Sequence, residues 1–227
     1  MKIPLLRLIL ALVIVCACFS SAIAQVVIAD AMGRPLQTKQ YLDVQGSQYL
    51  FSDWRKGDVT LADGIIFEGL DLMYDLMNDE VIFKGDDEQA QTFLKPVVKF
   101  SLYQNDGGIK KKKNFRKGYT PVDAASPGAF YEVLTDGENV QLLKRYYKNV
   151  FEEMPYGSAT KVKKFQDNAS YYIAKVDKLE KIKLDKKSVL GALPGKVSEL
   201  EKYIKAHRLN LRNDSDIAQL VNYYNSL

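Results

Sequence analysis

Cysteine, histidine and tryptophan are nearly missing from this chain of 227 residues, which has two cysteines, one histidine and one tryptophan. Both cysteines, Cys16 and Cys18, fall in residues 1–24, a stretch with a basic start, an apolar run up to Cys18 and the small-residue end Ala22-Ile23-Ala24. That is the pattern of a secretory leader cleaved before Gln25. The apolar run is short for a bilayer span, which needs about 20 residues, so no transmembrane segment is expected after cleavage. Val15-Cys16-Ala17-Cys18 fits a lipid-attachment box poorly, because a cysteine stands between the small residues. Removing the 24 leader residues leaves 203 without a thiol. Cysteine nucleophiles, thiolate metal sites and iron–sulfur clusters are then excluded, and folding needs no oxidation.

The single histidine, His207, has no second histidine for a metal pair or an acid/base couple. Its place near the end of a helical stretch suits a C-terminal capping role, where a cation meets the helix dipole. Ser158-Ala159-Thr160-Lys161 matches S-x-x-K in two residues, but it follows Pro155 and Gly157 and leads into a strand-like run. The helical turn that would join serine to lysine is not predicted there. The G-x-S-x-G, H-E-x-x-H and G-x-x-x-x-G-K patterns are missing, as is a glycine-rich dinucleotide loop. No cofactor and no metal are expected. The formal charge of +4 falls to +2 once Lys2 and Arg7 leave with the leader, which is no signature of nucleic-acid binding.

What remains is rich in short apolar runs separated by turn residues at about 8 to 12 residue spacing, as in antiparallel sheets. Gly57 to Ala62 alternates, Asp63-Gly64 is a hairpin signal, and Ile65 to Tyr74 returns. Glu80 to Lys84, Val97 to Tyr103, a weaker Phe115 to Tyr119, Phe130 to Leu134, Val140 to Tyr147, Lys161 to Phe165 and Ser170 to Val176 follow. About nine strands joined by hairpin-length links exclude a parallel α/β sheet, whose crossovers need a dozen residues or more. From Leu184 the period becomes helical. Asp185 caps a first helix, Val197, Leu200 and Ile204 mark a second, and Asp214-Ser215 caps a third carrying Ile217, Leu220, Val221 and Tyr224. The expected fold is therefore α+β: an antiparallel β domain over 25–183, forming a sandwich or half-barrel, and C-terminal helices over 184–227 packed on the sheet. Helices this short are unstable alone in water.

Three features remain as binding or catalytic candidates. Lys110, Lys111, Lys112, Lys113, Arg116 and Lys117 put six cations in eight positions beside Gly107-Gly108, which suits contact with an anionic surface or simply a solvated loop that blunts an edge strand. The mature aromatics include doublets such as Tyr146-Tyr147 and Tyr171-Tyr172. Strand alternation sends one ring of each doublet to either face, so the outer rings are free to stack on sugar, line a lipid groove or cover the helical tail. Asp71, Asp75, Asp79 and Glu80 cluster at one hairpin and Asp86, Asp87 and Glu88 at the next break. Two carboxylates suffice for a glycosidase, although acidic residues at hairpin ends ordinarily solvate turns.

Gly46-Ser47-Gln48-Tyr49-Leu50-Phe51, Trp54 and Gly57-Asp58-Val59-Thr60-Leu61-Ala62-Asp63-Gly64, with the later Tyr74-Asp75, Phe130 to Leu134, Asp136-Gly137 and Val221 to Asn225, carry a family pattern. It resembles that of secreted or periplasmic proteins of Bacteroidetes-type bacteria. The resemblance spans nearly the whole mature chain and is structural in character. The family has no assigned activity, so no catalytic residue carries over. The expected function is that of a non-enzymatic cell-envelope protein, periplasmic or secreted and in one version outer-membrane associated. It would bind an envelope lipid, a glycan or a membrane protein through an apolar or aromatic sheet face. The alternative is a carboxylate-dependent glycan hydrolase.

Overall fold

Local alternation builds the strands, and the order in which they pair was beyond the reach of the sequence. A computed structural model of the chain describes residues 33–36, 41–86, 88–122, 125–157, 160–176 and 178–227. Among them are β1 (Gly33–Pro35), β2 (Val44–Gln45), β3 (Arg55–Leu61), β4 (Ile66–Asp75), β5 (Glu80–Lys84), β6 (Ala90–Phe93), β7 (Val97–Asp106), β8 (Ile109–Arg116), β9 (Tyr131–Asp136), β10 (Gln141–Glu153), β11 (Val162–Lys175) and β12 (Lys178–Ile182). Three helices close the chain: α1 (Lys186–Ala192), α2 (Val197–His207) and α3 (Asp214–Asn225). The fold is α+β and sheet-rich. None of the helices among the described residues is long and apolar enough to cross a membrane.

The strands form one sheet in the order β1-β6-β5-β4-β3-β7-β8-β9-β10-β11-β12, with β2 parallel to the far end of β11. All the other pairings are antiparallel. Twelve strands replace the nine expected. The polar Gln166-Asp167-Asn168 does not break β11, because the distal part of the β10–β11 ribbon is solvated and tolerates polar residues on its surfaces. The lysine run is itself strand, β8, where a loop followed by a weak strand at Phe115 was expected. β1, β2, β6 and β12 are too short or too charged to show alternation.

β3 joins two meanders, pairing with β4 on one side and with β7 on the other. Register places Val59, Phe100, Phe115, Glu132, Lys144 and Tyr171 side by side across β3, β7, β8, β9, β10 and β11, all on what we call the inner face. In a flat sheet β4 would stand about 14 Å from β8, three strands away. The Tyr74 ring of β4 instead lies 5.7 Å from Phe115, 5.1 Å from Phe100 and 5.8 Å from Phe130. The sheet therefore curls, and its first meander folds over one end of the inner face. Phe100 and Phe115 stack at 4.5 Å beneath it.

The helices cover the other end. Val189, Leu193, Leu200, Ile217, Leu220 and Val221 bury against Leu142, Ile173 and Ile182. Asp185 caps α1 by accepting from the Ser188 amide at 2.8 Å. For α3 the cap is Asn213, accepting from the Asp216 amide at 2.8 Å, and Asp214 is the first helical residue. On the outer face Tyr131, Leu143, Tyr172 and Ala174 form a second cluster beneath Tyr119, Val122 and Ala125. Much of the aromatic excess is thus interior: Tyr74, Tyr131, Tyr172, Phe83 and Phe115 are fully buried.

Candidate functional site

The β8–β9 ladder is two pairs long, Phe115↔Glu132 and Arg116↔Tyr131, although β8 begins at Ile109 and β9 runs on to Asp136. Two-stranded ribbons twist more than wide sheets. Beyond Leu102 the β7–β8 hairpin has no third strand and swings away from the wider β9–β10–β11 sheet, so a wedge opens between them on the outer face.

A groove of about 580 Å³ occupies this wedge. β3 and β4 contribute Asp58, Thr60, Ile66 and Glu68, β7 contributes Lys99 and Ser101, and β8 contributes Lys112, Asn114 and Arg116. Val133, Leu134 and Asp136 of β9 face them. Phe100 and Phe115 also border the groove, but their rings stack on the inner face, so no aromatic platform lies open in it.

Asp58 organises the floor. It accepts from the Tyr103 hydroxyl at 2.6 Å, Lys112 Nζ at 2.9 Å, the Ser101 hydroxyl at 3.1 Å and the Gly69 amide at 3.1 Å. Gly69 sits beside the β3–β4 register shift with φ +68°, a conformation that favours glycine. Burial pushes the Asp58 carboxyl up, but the four hydrogen bonds outweigh it and bring it down to about 2. Across the wedge Arg116 Nη2 meets Asp136 at 3.1 Å while its Nε donates to the Tyr119 hydroxyl at 3.0 Å. Lys99 makes no ion pair among the described residues.

The basic run is divided by strand alternation. Lys112 and Arg116 point into the groove and are paired there. Lys113 lies on the inner face, 2.8 Å from the buried Glu132 and 3.1 Å from the Tyr146 hydroxyl. Lys117, held down by burial, sits 5.2 Å over the Phe130 ring. Lys111 is exposed, and the side chain of Lys110 lies outside the described residues.

Asp75 is buried in the β4–β5 turn, accepting from Gln48, Asn78 and the Met77 amide. Asp79 accepts from Tyr74 and Arg145, and Asp71 pairs with Lys56. Glu88 pairs with Lys84, while Asp87 lies outside the described residues. No group of three or more metal-ligating side chains comes together among the described residues. His207, exposed at the end of α2, packs its ring 4.1 Å from Tyr203. Ser158 lies outside the described residues, and Lys161 pairs with Glu152.

Apart from Lys112 and Arg116 of the basic run, the groove residues went unnoticed in the sequence because each is an ordinary outward position of its strand. Asp58 and Thr60 alternate with Val59 and Leu61, as Lys99 and Ser101 do with Phe100 and Leu102. Only the β3–β7 pairing, which hairpin signals do not specify, makes them neighbours. Compared with known protein families, curated proteins and solved structures, the chain matches none.

Proposed function

We propose that this chain is an exported, non-enzymatic protein of the cell envelope, periplasmic or secreted, that holds an extended polypeptide segment of a partner protein in the β8–β9 groove. The leader pattern and the thiol-free mature sequence support the location. The two-pair β8–β9 ladder carries the rest: two strands that diverge after pairing offer main-chain edges to an added strand, the usual way a sheet takes a peptide.

The chemistry of the surroundings favours a peptide over the other ligands. An acyl chain needs an apolar cavity, and the space between the first meander and the inner face is filled by Tyr74, Phe100, Phe115 and Phe130. A sugar ring commonly stacks on an exposed aromatic, and the groove has none. Its charges balance, with Lys99, Lys112 and Arg116 against Asp58, Glu68 and Asp136, as suits a ligand recognised mainly through its neutral main chain. Hydrolysis of glycan would need a carboxyl that keeps its proton near neutrality. Asp58 is driven the opposite way, and the raised carboxyl, Glu80, lines a different and smaller cavity.

Photo-crosslinking tests the reading. A benzophenone side chain placed at Asn114, in the groove, should yield protein adducts in envelope fractions. The same group at Lys202, exposed on α2, should not. Equal labelling from both positions, or none from Asn114, would overturn the proposal.

A further inference from the structure

Resting on that reading, the geometry points to recognition of a free C-terminal carboxylate at the closed end of the groove, with Lys99 as its counter-charge. The wedge shuts where Phe115 pairs with Glu132, one residue before the Arg116–Tyr131 pair. A strand lying along β8 or β9 must end there or leave the sheet, so the last residue of a chain fits this place better than an internal one.

The closed end has its own chemistry. Thr60, Lys99 and Arg116 form one register row across β3, β7 and β8. Like charges directly opposite one another destabilise a sheet, and Lys99 and Arg116 are such a pair. Arg116 is relieved by Asp136 and by the Tyr119 hydroxyl. Lys99 is exposed and makes no ion pair among the described residues. A carboxylate placed at the Arg116 end of this row would neutralise Lys99, whose side chain has one strand to span.

The same placement sets direction. β9 runs away from the closed end, so a peptide whose C-terminus lies there is antiparallel to β9 and parallel to β8. Glu68 is the opposing influence. It lines the groove from β4, is exposed, and makes no ion pair among the described residues, so its carboxylate repels the ligand's.

The test uses immobilised mature protein and a random-sequence octapeptide library prepared in two forms, with a free C-terminal carboxylate and with a C-terminal amide. Retained peptides are quantified by mass spectrometry. Retention of the free-acid form should exceed that of the amide at least about tenfold, equivalent to about 1.4 kcal/mol. Lys99→Met should abolish the difference, Lys99→Arg should keep most of it, and Glu68→Gln should enlarge it. Both positions are exposed, and circular dichroism checks that the variants stay folded. Equal retention of the two forms would overturn carboxylate recognition while leaving peptide binding intact. Failure of either form to exceed its retention on a blank column would overturn both.

Discussion

Asp58 joins strand geometry to groove chemistry. Its carboxylate ties the β3–β4 register shift, through the Gly69 amide, to Tyr103, Ser101 and Lys112 on the next two strands. Asp58→Asn keeps the size but loses the charge that strengthens each bond, and it should lower unfolding free energy by about 1–2 kcal/mol in urea titrations, the exposure of Lys112 limiting the effect. The pH dependence has a definite sign. A carboxyl depressed to about 2 when folded, against about 3.9 unfolded, stabilises fully above roughly pH 4 and loses that contribution as pH falls toward 2. The wild type should therefore lose stability across that window more steeply than Asp58→Asn. Parallel acid profiles of the two would show that the hydrogen bonds do not act through the charge.

At the scale of elements, α3 is fastened to the sheet by polar contacts at both ends. Near its start Asp214 takes a 2.8 Å ion pair from Lys144. Burial opposes the charge on each partner, yet each holds the other ionised: Asp214 lies below the usual carboxylate range and Lys144 above the usual lysine range. At its end Asn225 brackets Val140, accepting from its amide at 3.0 Å and donating to its carbonyl at 3.0 Å. Gly137 makes room for this contact, because a Cβ there would fall 2.0 Å from Asn225 Nδ2. Gly137→Ala should displace Asn225 and cost about 1–3 kcal/mol, with faster amide exchange concentrated in the last turn of α3. Asn213→Ala should cost about 0.5–2 kcal/mol at the other end, whereas Ser215→Ala, which removes a residue of the expected cap, should cost less. Helical period and cap chemistry made α1 to α3 legible to within a few residues, Asn213 alone displacing Asp214 as the cap of the third. Strands were legible where one face is buried, as in β3 and β7. They were not legible in β8, whose Lys112 and Lys113 are satisfied by different neighbours on opposite faces, nor in the solvated stretch of β11.

For the whole molecule, both covers rest on the same inner face, the first meander at one end and the helices at the other. Shared support of this kind couples them, so heating should give one cooperative transition. Phe130→Ala, which removes a ring packed on Tyr74 and Phe100, should cost about 3–5 kcal/mol. It should shift far-UV and near-UV transitions together, and separated midpoints would show that the meander melts alone. The α+β class was readable in the sequence, because hairpin spacing and a change of period are local signals. The groove was not, since it arises where two hairpins diverge and no local pattern encodes divergence. The place of β3 has a further consequence, for the newly made chain. Its first partner, β4, follows immediately, but Leu102, which pairs with Gly57, is made 45 residues later. Until then one edge of β3 stands open to pairing with other chains, the exposure through which incomplete sheets aggregate. Arg55, Lys56 and Asp58 place charge along that waiting edge, so the aspartate that organises the mature groove also guards the unfinished sheet.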